Sequence, residues 1–126
     1  MVLVDTSSWI HMLRADGDKA IRERVESLLQ AGVACWCPMI RLELWNGARG
    51  ARDKKALLDF ERRLPELPIT GEVWNLAYTL AQKARSAGAT ASGSDILIAA
   101  CAQFHDVSLE HADSDFDRLI ALRQSV

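Results

Sequence analysis

The chain is 126 residues long, 49% hydrophobic and 25% charged, with a formal net charge of −2. That length holds one sizeable core, the composition excludes a disordered or fibrous chain, and the charge excludes a uniformly basic nucleic-acid coat. Three cysteines, two of them in one short apolar segment, are poor material for a disulfide framework.

In chain order, Val2–Val4 is a brief apolar run that reads as a strand; the stretch MVLVDTSSWI lacks a cationic start and a long apolar run, so it is not expected to act as a secretory signal. Ile21, Val25, Leu28 and Leu29 line one face of a helix that ends before Gly32. The segment 32–38 is a second strand, closed by Pro38, and Met39 to Arg49 reads as a helix. Leu57, Phe60 and Leu64 continue the helical series up to Pro65, and 67–69 is a short third strand candidate. The clearest helix spans 71–87, where Val73, Leu76, Ala77, Leu80 and Ala84 keep i, i+3, i+4, i+7 spacing and Gly88 follows as a stop. Ser94 is expected to cap an apolar helix from Asp95 to Phe104, and 107–109 is a fourth short strand. The longest unbroken apolar run, Ile96 to Ala102, falls far short of the ~20 residues needed to span a bilayer. The expectation is therefore a chain that stays out of the membrane and works in the cytoplasm.

Short apolar strands alternating with helices predict an α/β fold, with a short, mostly parallel central sheet flanked by helices in three layers. No repeat, linker or low-complexity tract divides the chain, so 1–126 reads as one domain. In open parallel sheets, ligands gather outside the carboxyl ends of the strands. Four acids fall near that edge. Asp5 directly follows the first strand, Glu43 lies a turn into the helix after the second, Asp95 opens its helix, and Asp113 follows the last strand with Asp115 and Asp117 close behind. Carboxylates converging there raise one another's pKa unless a cation neutralises them, and an all-oxygen set suits Mg²⁺ or Mn²⁺ better than Zn²⁺. Each acid also has an ordinary explanation: Asp5 as a helix cap, Asp95 as a partner of its helix dipole, and the 113–117 group as a solvated helix start. Glu43 is the hardest to explain that way, because it sits inside a helix between Leu42 and Leu44.

The blocks VDTSSWI, RLELWNGAR, SDILIAACA and HADSDFDRL, in this order and spacing, resemble the PIN-domain ribonucleases, specifically the VapC-type toxins of bacterial toxin–antitoxin pairs. The resemblance runs from Val2 to about Leu122. It implies a PIN-like fold and divalent-metal-dependent endonucleolytic cleavage of single-stranded segments in a structured RNA. By position, it implies metal ligation and catalysis by Asp5, Glu43, Asp95 and Asp113, with Asp115 as an auxiliary ligand and Asp117 as a bystander. Thr6 matches the hydroxyl residue after the first aspartate, and Gly47 the glycine after the glutamate. Two departures stand out: Ala112 replaces the usual Thr or Ser, and no convincing fifth strand follows Leu122. The resemblance further implies a cognate VapB-type antitoxin that inserts a basic side chain among the carboxylates, and a homodimer.

Residues 41–63 carry seven Arg or Lys against four acids, whereas 95–126 carries six acids against two Arg. Arg41, Arg49, Arg52, Lys54 and Lys55 are therefore candidates for phosphate contacts with RNA. Trp9, Trp45 and Trp74 are candidates for stacking on unpaired bases, although tryptophans at helical spacing are more often core. Three rival readings compete. A PIN-like protein could bind RNA without cutting it; Cys35, Cys37, Cys101 and His105 could build a zinc-binding interaction module; and an aspartate after a strand could accept a phosphoryl group. The last wants a lysine late in the chain, and none follows Lys83.

Overall fold

A computed structural model describes residues 1–123. Val2–Val4 (β1) lies between Ala34–Cys35 (β2) and Ser108–Glu110 (β3) in a three-stranded sheet ordered β2-β1-β3. Both pairings are parallel, with Leu3 opposite Cys35 on one side and Leu109 on the other. Parallel neighbours need crossovers, and helices supply them. Thr6–Leu13 (α1) and Lys19–Gln30 (α2) lead from β1 to β2. Pro38–Asn46 (α3), Gly50–Arg63 (α4), Gly71–Ser86 (α5) and Gly93–Phe104 (α6) lead from β2 to β3, and Asp115–Arg123 (α7) follows. The expected α/β class with a short parallel sheet among helices is what forms. None of these helices is long and apolar enough to cross a membrane.

The core explains the spacing seen in the chain. Leu3 and Val4 of β1, Ile98 to Ala102 of α6, and Leu80 and Ala84 of α5 are all buried. Small residues at 99–102 let α6 pack closely against its neighbours, including α5 and β3. Trp9 is fully buried, its ring 4.8 Å from Phe60, so it belongs to the core and not to a stacking platform. The helix boundaries follow local chemistry. Thr70 caps α5 by accepting from the Val73 N–H, and Gly88 follows at φ 69, the left-handed region that suits glycine.

Several expectations shift. The segment 67–69 forms no strand; Trp36 and Glu66 make one isolated parallel bridge, and the Leu67 N–H donates to the Trp36 carbonyl. With Pro65 and Pro68 on either side of that bridge, the backbone lacks the donors a ladder requires. Ser94 is not the cap of α6. Ser92 is, its hydroxyl accepting from the Asp95 N–H, and the helix begins one residue earlier than Ser94. The helix expected to run from Met39 to Arg49 spans Pro38–Asn46 instead, with Pro at its first position, where its missing N–H costs nothing. α7 occupies the last described residues of the chain, and any strand beyond 123 lies outside them.

Candidate metal centre

Asp5 leaves β1 at its carboxyl end, and its backbone N–H donates to the Glu110 carbonyl of β3. The turn into α1 makes Asp5 the helix N-cap. Its Oδ2 accepts from the Ser7 N–H at 3.1 Å and from the Ser7 hydroxyl at 2.7 Å. The helix-cap reading of Asp5 is thus correct but accounts for only one of its oxygens. Oδ1 is buried and has no hydrogen-bond partner, and the residue as a whole is 3% exposed. Burying a carboxylate oxygen without a partner is costly, and a cation is the partner that such an oxygen lacks. Burial pushes the Asp5 carboxyl above its ordinary range, against the opposing effects of the Ser7 hydrogen bonds and of His111 nearby.

The other acids come to the same place from different elements. Asp95, in the first turn of α6, has its pKa raised to about 6, mainly by burial and then by the charges of Asp5, Asp113 and Glu43. That list of neighbours is the expected quartet, joined through one residue. Oxygens of Asp95, Asp113 and Asp115 lie within 4.8 Å of one another, and among the described residues these three form the group of ligating side chains able to hold a metal. Asp113 Oδ1 also accepts from the Asp115 N–H, which fixes the loop entering α7. Glu43 is half-buried on α3 and accepts at Oε1 from the Thr6 hydroxyl at 2.8 Å. Its neighbour Leu42 turns outward and is 60% exposed, so the surroundings of Glu43 are less apolar than the sequence implied.

Two residues that sequence reasoning passed over complete the site. The Ser7 hydroxyl donates to Asp5 and accepts from the Ala112 N–H at 3.0 Å, tying the first acid to the loop that carries Asp113. Position 112 therefore contributes through its backbone, and Ser7 supplies a hydroxyl in this region although Ala112 has none. His111 is half-buried, with Nε2 3.2 Å from Asp117 Oδ1 and Nδ1 buried without a partner. Asp117 thus contacts His111 and is not one of the three acids whose oxygens cluster. The available signals were a hydroxyl two residues after Asp5 and a histidine two residues before Asp113.

The basic candidates separate. Arg41 is engaged by Glu61 at 2.7 Å and Glu66 at 3.4 Å, and its guanidinium sits 5.9 Å from the Trp36 ring, so its charge is already paired. Arg49 caps nothing with its side chain and lines a cleft that also contains Glu43. Arg52, Lys54 and Lys55 lie along α4, with Arg52 and both lysines exposed or nearly so. Trp45 donates its Nε1 hydrogen to Glu61, whereas Trp74 is 44% exposed beside Tyr78. Cys35, Cys37 and Cys101 are buried free thiols and His105 Nε2 lies 2.8 Å from the Pro68 carbonyl; among the described residues these four do not form a ligating group, which speaks against the rival zinc reading.

A family model described as PIN domain matches residues 2–122. Ribonuclease VapC11 of Mycobacterium tuberculosis is 36% identical over 121 residues, which is 93% of this chain and 90% of that protein. Ribonuclease VapC21 of the same species is 32% identical over 85% of this chain and 80% of its own. Among solved structures, DNA-bound VapBC from Salmonella typhimurium superposes with a TM-score of 0.78 at 20% identity, covering 94% of this chain and 91% of that one. At that identity the superposition speaks for the fold alone.

Proposed function

The chain belongs to the PIN-domain family, and from that premise we propose that it is the toxin ribonuclease of a toxin–antitoxin pair, a divalent-metal-dependent endoribonuclease acting on single-stranded segments of structured RNA. The observation that carries the metal-dependent part is the unpartnered, buried Oδ1 of Asp5 beside an acidic cluster that raises the pKa of Asp95 to about 6. Hard carboxylate oxygens without nitrogen or sulfur donors fit Mg²⁺ or Mn²⁺. When bound, such a cation supplies activation of water and stabilisation of charge on the attacked phosphate.

The residues divide that work. Asp5, Asp95 and Asp113 hold the cation, with Asp115 assisting from the first turn of α7. Glu43 completes the site from α3, held in place by Thr6, and Ser7 orients Asp5. Arg49, Arg52, Lys54 and Lys55 lie where α3 meets α4 and contact the phosphates flanking the cut. VapBC complexes among the structural relatives support a VapB-type antitoxin as partner, and a basic side chain from it would neutralise these carboxylates in place of the cation. A homodimer working in the cytoplasm completes the proposal.

Sequencing RNA ends after brief expression tests this reading. The expected result is a set of new ends at defined sites, reproduced by purified protein with Mn²⁺ and lost in EDTA. Tight RNA binding with no new ends under either condition would favour the non-cutting alternative.

A further inference from the structure

A cleft of about 270 Å³ opens beside the acidic cluster, between α1, α3 and the start of α4, with Glu43 as a wall common to both. Its floor is apolar, made by Leu13, Leu44 and Leu57, and its rim is polar, made by Arg14, Asn46, Arg49 and Asp53. Among the described residues, neither the Arg14 nor the Arg49 guanidinium has a direct ion-pair or hydrogen-bond partner, although Glu43 and Asp53 line the same cleft. Asp53 is half-used: Oδ2 accepts from the Arg49 N–H at 2.9 Å and caps the start of α4, while Oδ1 makes no such bond.

An apolar floor, polar groups at the edge and flanking cations match the chemistry of one nucleotide, whose base is flat and apolar on its faces, polar at its rim and followed by phosphate. At about 270 Å³ the cleft lies just below the range of about 300–1,000 Å³ typical for drug-sized ligands, which suits one base and not a run of them. Contiguity through Glu43 places that base next to the phosphate held at the acids. Resting on the ribonuclease reading above, we infer that this cleft binds the unpaired base adjoining the cleaved phosphate and sets the enzyme's nucleotide preference. Asn46 and the free oxygen of Asp53 read the edge of the base. A carboxylate only accepts hydrogen bonds, so Asp53 favours a base whose edge presents an amino group, such as cytosine, over uracil, whose single N3–H lies between two carbonyl acceptors.

The test uses full-length Asp95→Asn protein, which leaves RNA uncut, and fluorescein-labelled single-stranded 8-nucleotide RNAs, about the length one such site spans. An abasic residue is scanned through the RNA, and binding is followed by anisotropy with and without Asn46→Ala. At one position, loss of the base should weaken binding about 5- to 50-fold. Asn46→Ala should weaken binding to the intact RNA and add little at that same position, because both changes remove one contact. Uracil there should bind more weakly than cytosine, and Asp53→Asn, which still caps α4, should erase the difference. Losses that simply multiply at every position would overturn the inference. RNA binding unchanged in both Asn46→Ala and Arg14→Ala would also overturn it, and would give the cleft to a protein partner. Failure of the ribonuclease reading looks different: wild type with Mn²⁺ then leaves all RNA intact, whatever the binding cycle shows.

Discussion

The Thr6 hydroxyl donates to Glu43 Oε1 at 2.8 Å, joining two residues 37 positions apart in the chain. One follows the central strand and the other lies on α3, so the bond sets where Glu43 points. A partner of this kind around a metal site typically changes metal affinity or activity 10- to 100-fold when removed, by the general behaviour of such groups, roughly. Thr6→Val, which keeps shape and loses the donor, should reduce cleavage by about that factor at limiting Mn²⁺, and Thr6→Ser should retain most of it. Equal rates in Thr6→Val and wild type across an Mn²⁺ titration would remove Thr6 from the account.

Asp95 gives the pH dependence. Its folded pKa of about 6 lies above the unfolded value of about 3.9. A carboxyl shifted upward contributes stability below the unfolded pKa and loses it as pH rises through the folded pKa. Asp5 is shifted in the same direction. In EDTA, the unfolding free energy of wild type relative to Asp95→Asn, measured by urea denaturation, should therefore fall as pH rises from about 4 to about 7, by on the order of 1 kcal/mol once solvent screening of this half-buried group is allowed for. A difference that stays flat across that window would show that Asp95 is not crowded by the other acids.

The three aspartates of the last loop should separate by role. Asp113 and Asp115 present oxygens to the same point as Asp95, whereas Asp117 faces His111. Asp113→Ala should cost the most activity, Asp115→Ala less, and Asp117→Ala least, measured as single-turnover cleavage rates of purified, folded variants. If Asp117→Ala proves the most damaging, the His111 contact matters more to the reaction than the ligating oxygens do.

Much of this was legible in the chain because topology does the sorting. A residue directly after a parallel strand must lie at the sheet's carboxyl edge, so Asp5 could be placed without coordinates, and Asp113, three residues past β3, belongs to the loop leaving the neighbouring strand of the sheet β2-β1-β3. What was not legible depends on side-chain reach. Arg41 and Arg49 look alike in sequence, but only Arg41 meets Glu61 and Glu66, acids 20 and 25 residues away. Ser7 and Ser94 are both hydroxyls near a helix start; Ser7 bridges two loops through Ala112, while Ser94 is displaced as cap by Ser92. The distinction between a core and a stacking tryptophan likewise rested on Phe60, which lies 51 residues from Trp9 by numbering and packs against it.

Glu43 is the acid that capping cannot explain. If it faces the cation, Mg²⁺ or Mn²⁺ should raise the melting temperature of wild type clearly more than that of Glu43→Gln, with the two proteins similar in EDTA, because a ligand stabilises the state that binds it. Calcium should stabilise as well while supporting little cleavage, since its larger ion accepts looser geometry. Equal metal-induced shifts in the two proteins would place Glu43 outside the site.

RNA cleavage is expected to depend on a cation held by the buried Asp5 and the partly exposed carboxylates around it. The most direct measurement is the cleavage rate of a 5′-labelled RNA at saturating Mn²⁺ by wild type and by Asp5→Asn, each confirmed folded by its melting curve. Asparagine preserves the helix cap and removes the charge, so the fold should survive with equal or higher stability in EDTA. The predicted result is a loss of about 100-fold or more in rate in a protein that melts no lower than wild type. A folded Asp5→Asn protein that cuts as fast as wild type would contradict the account.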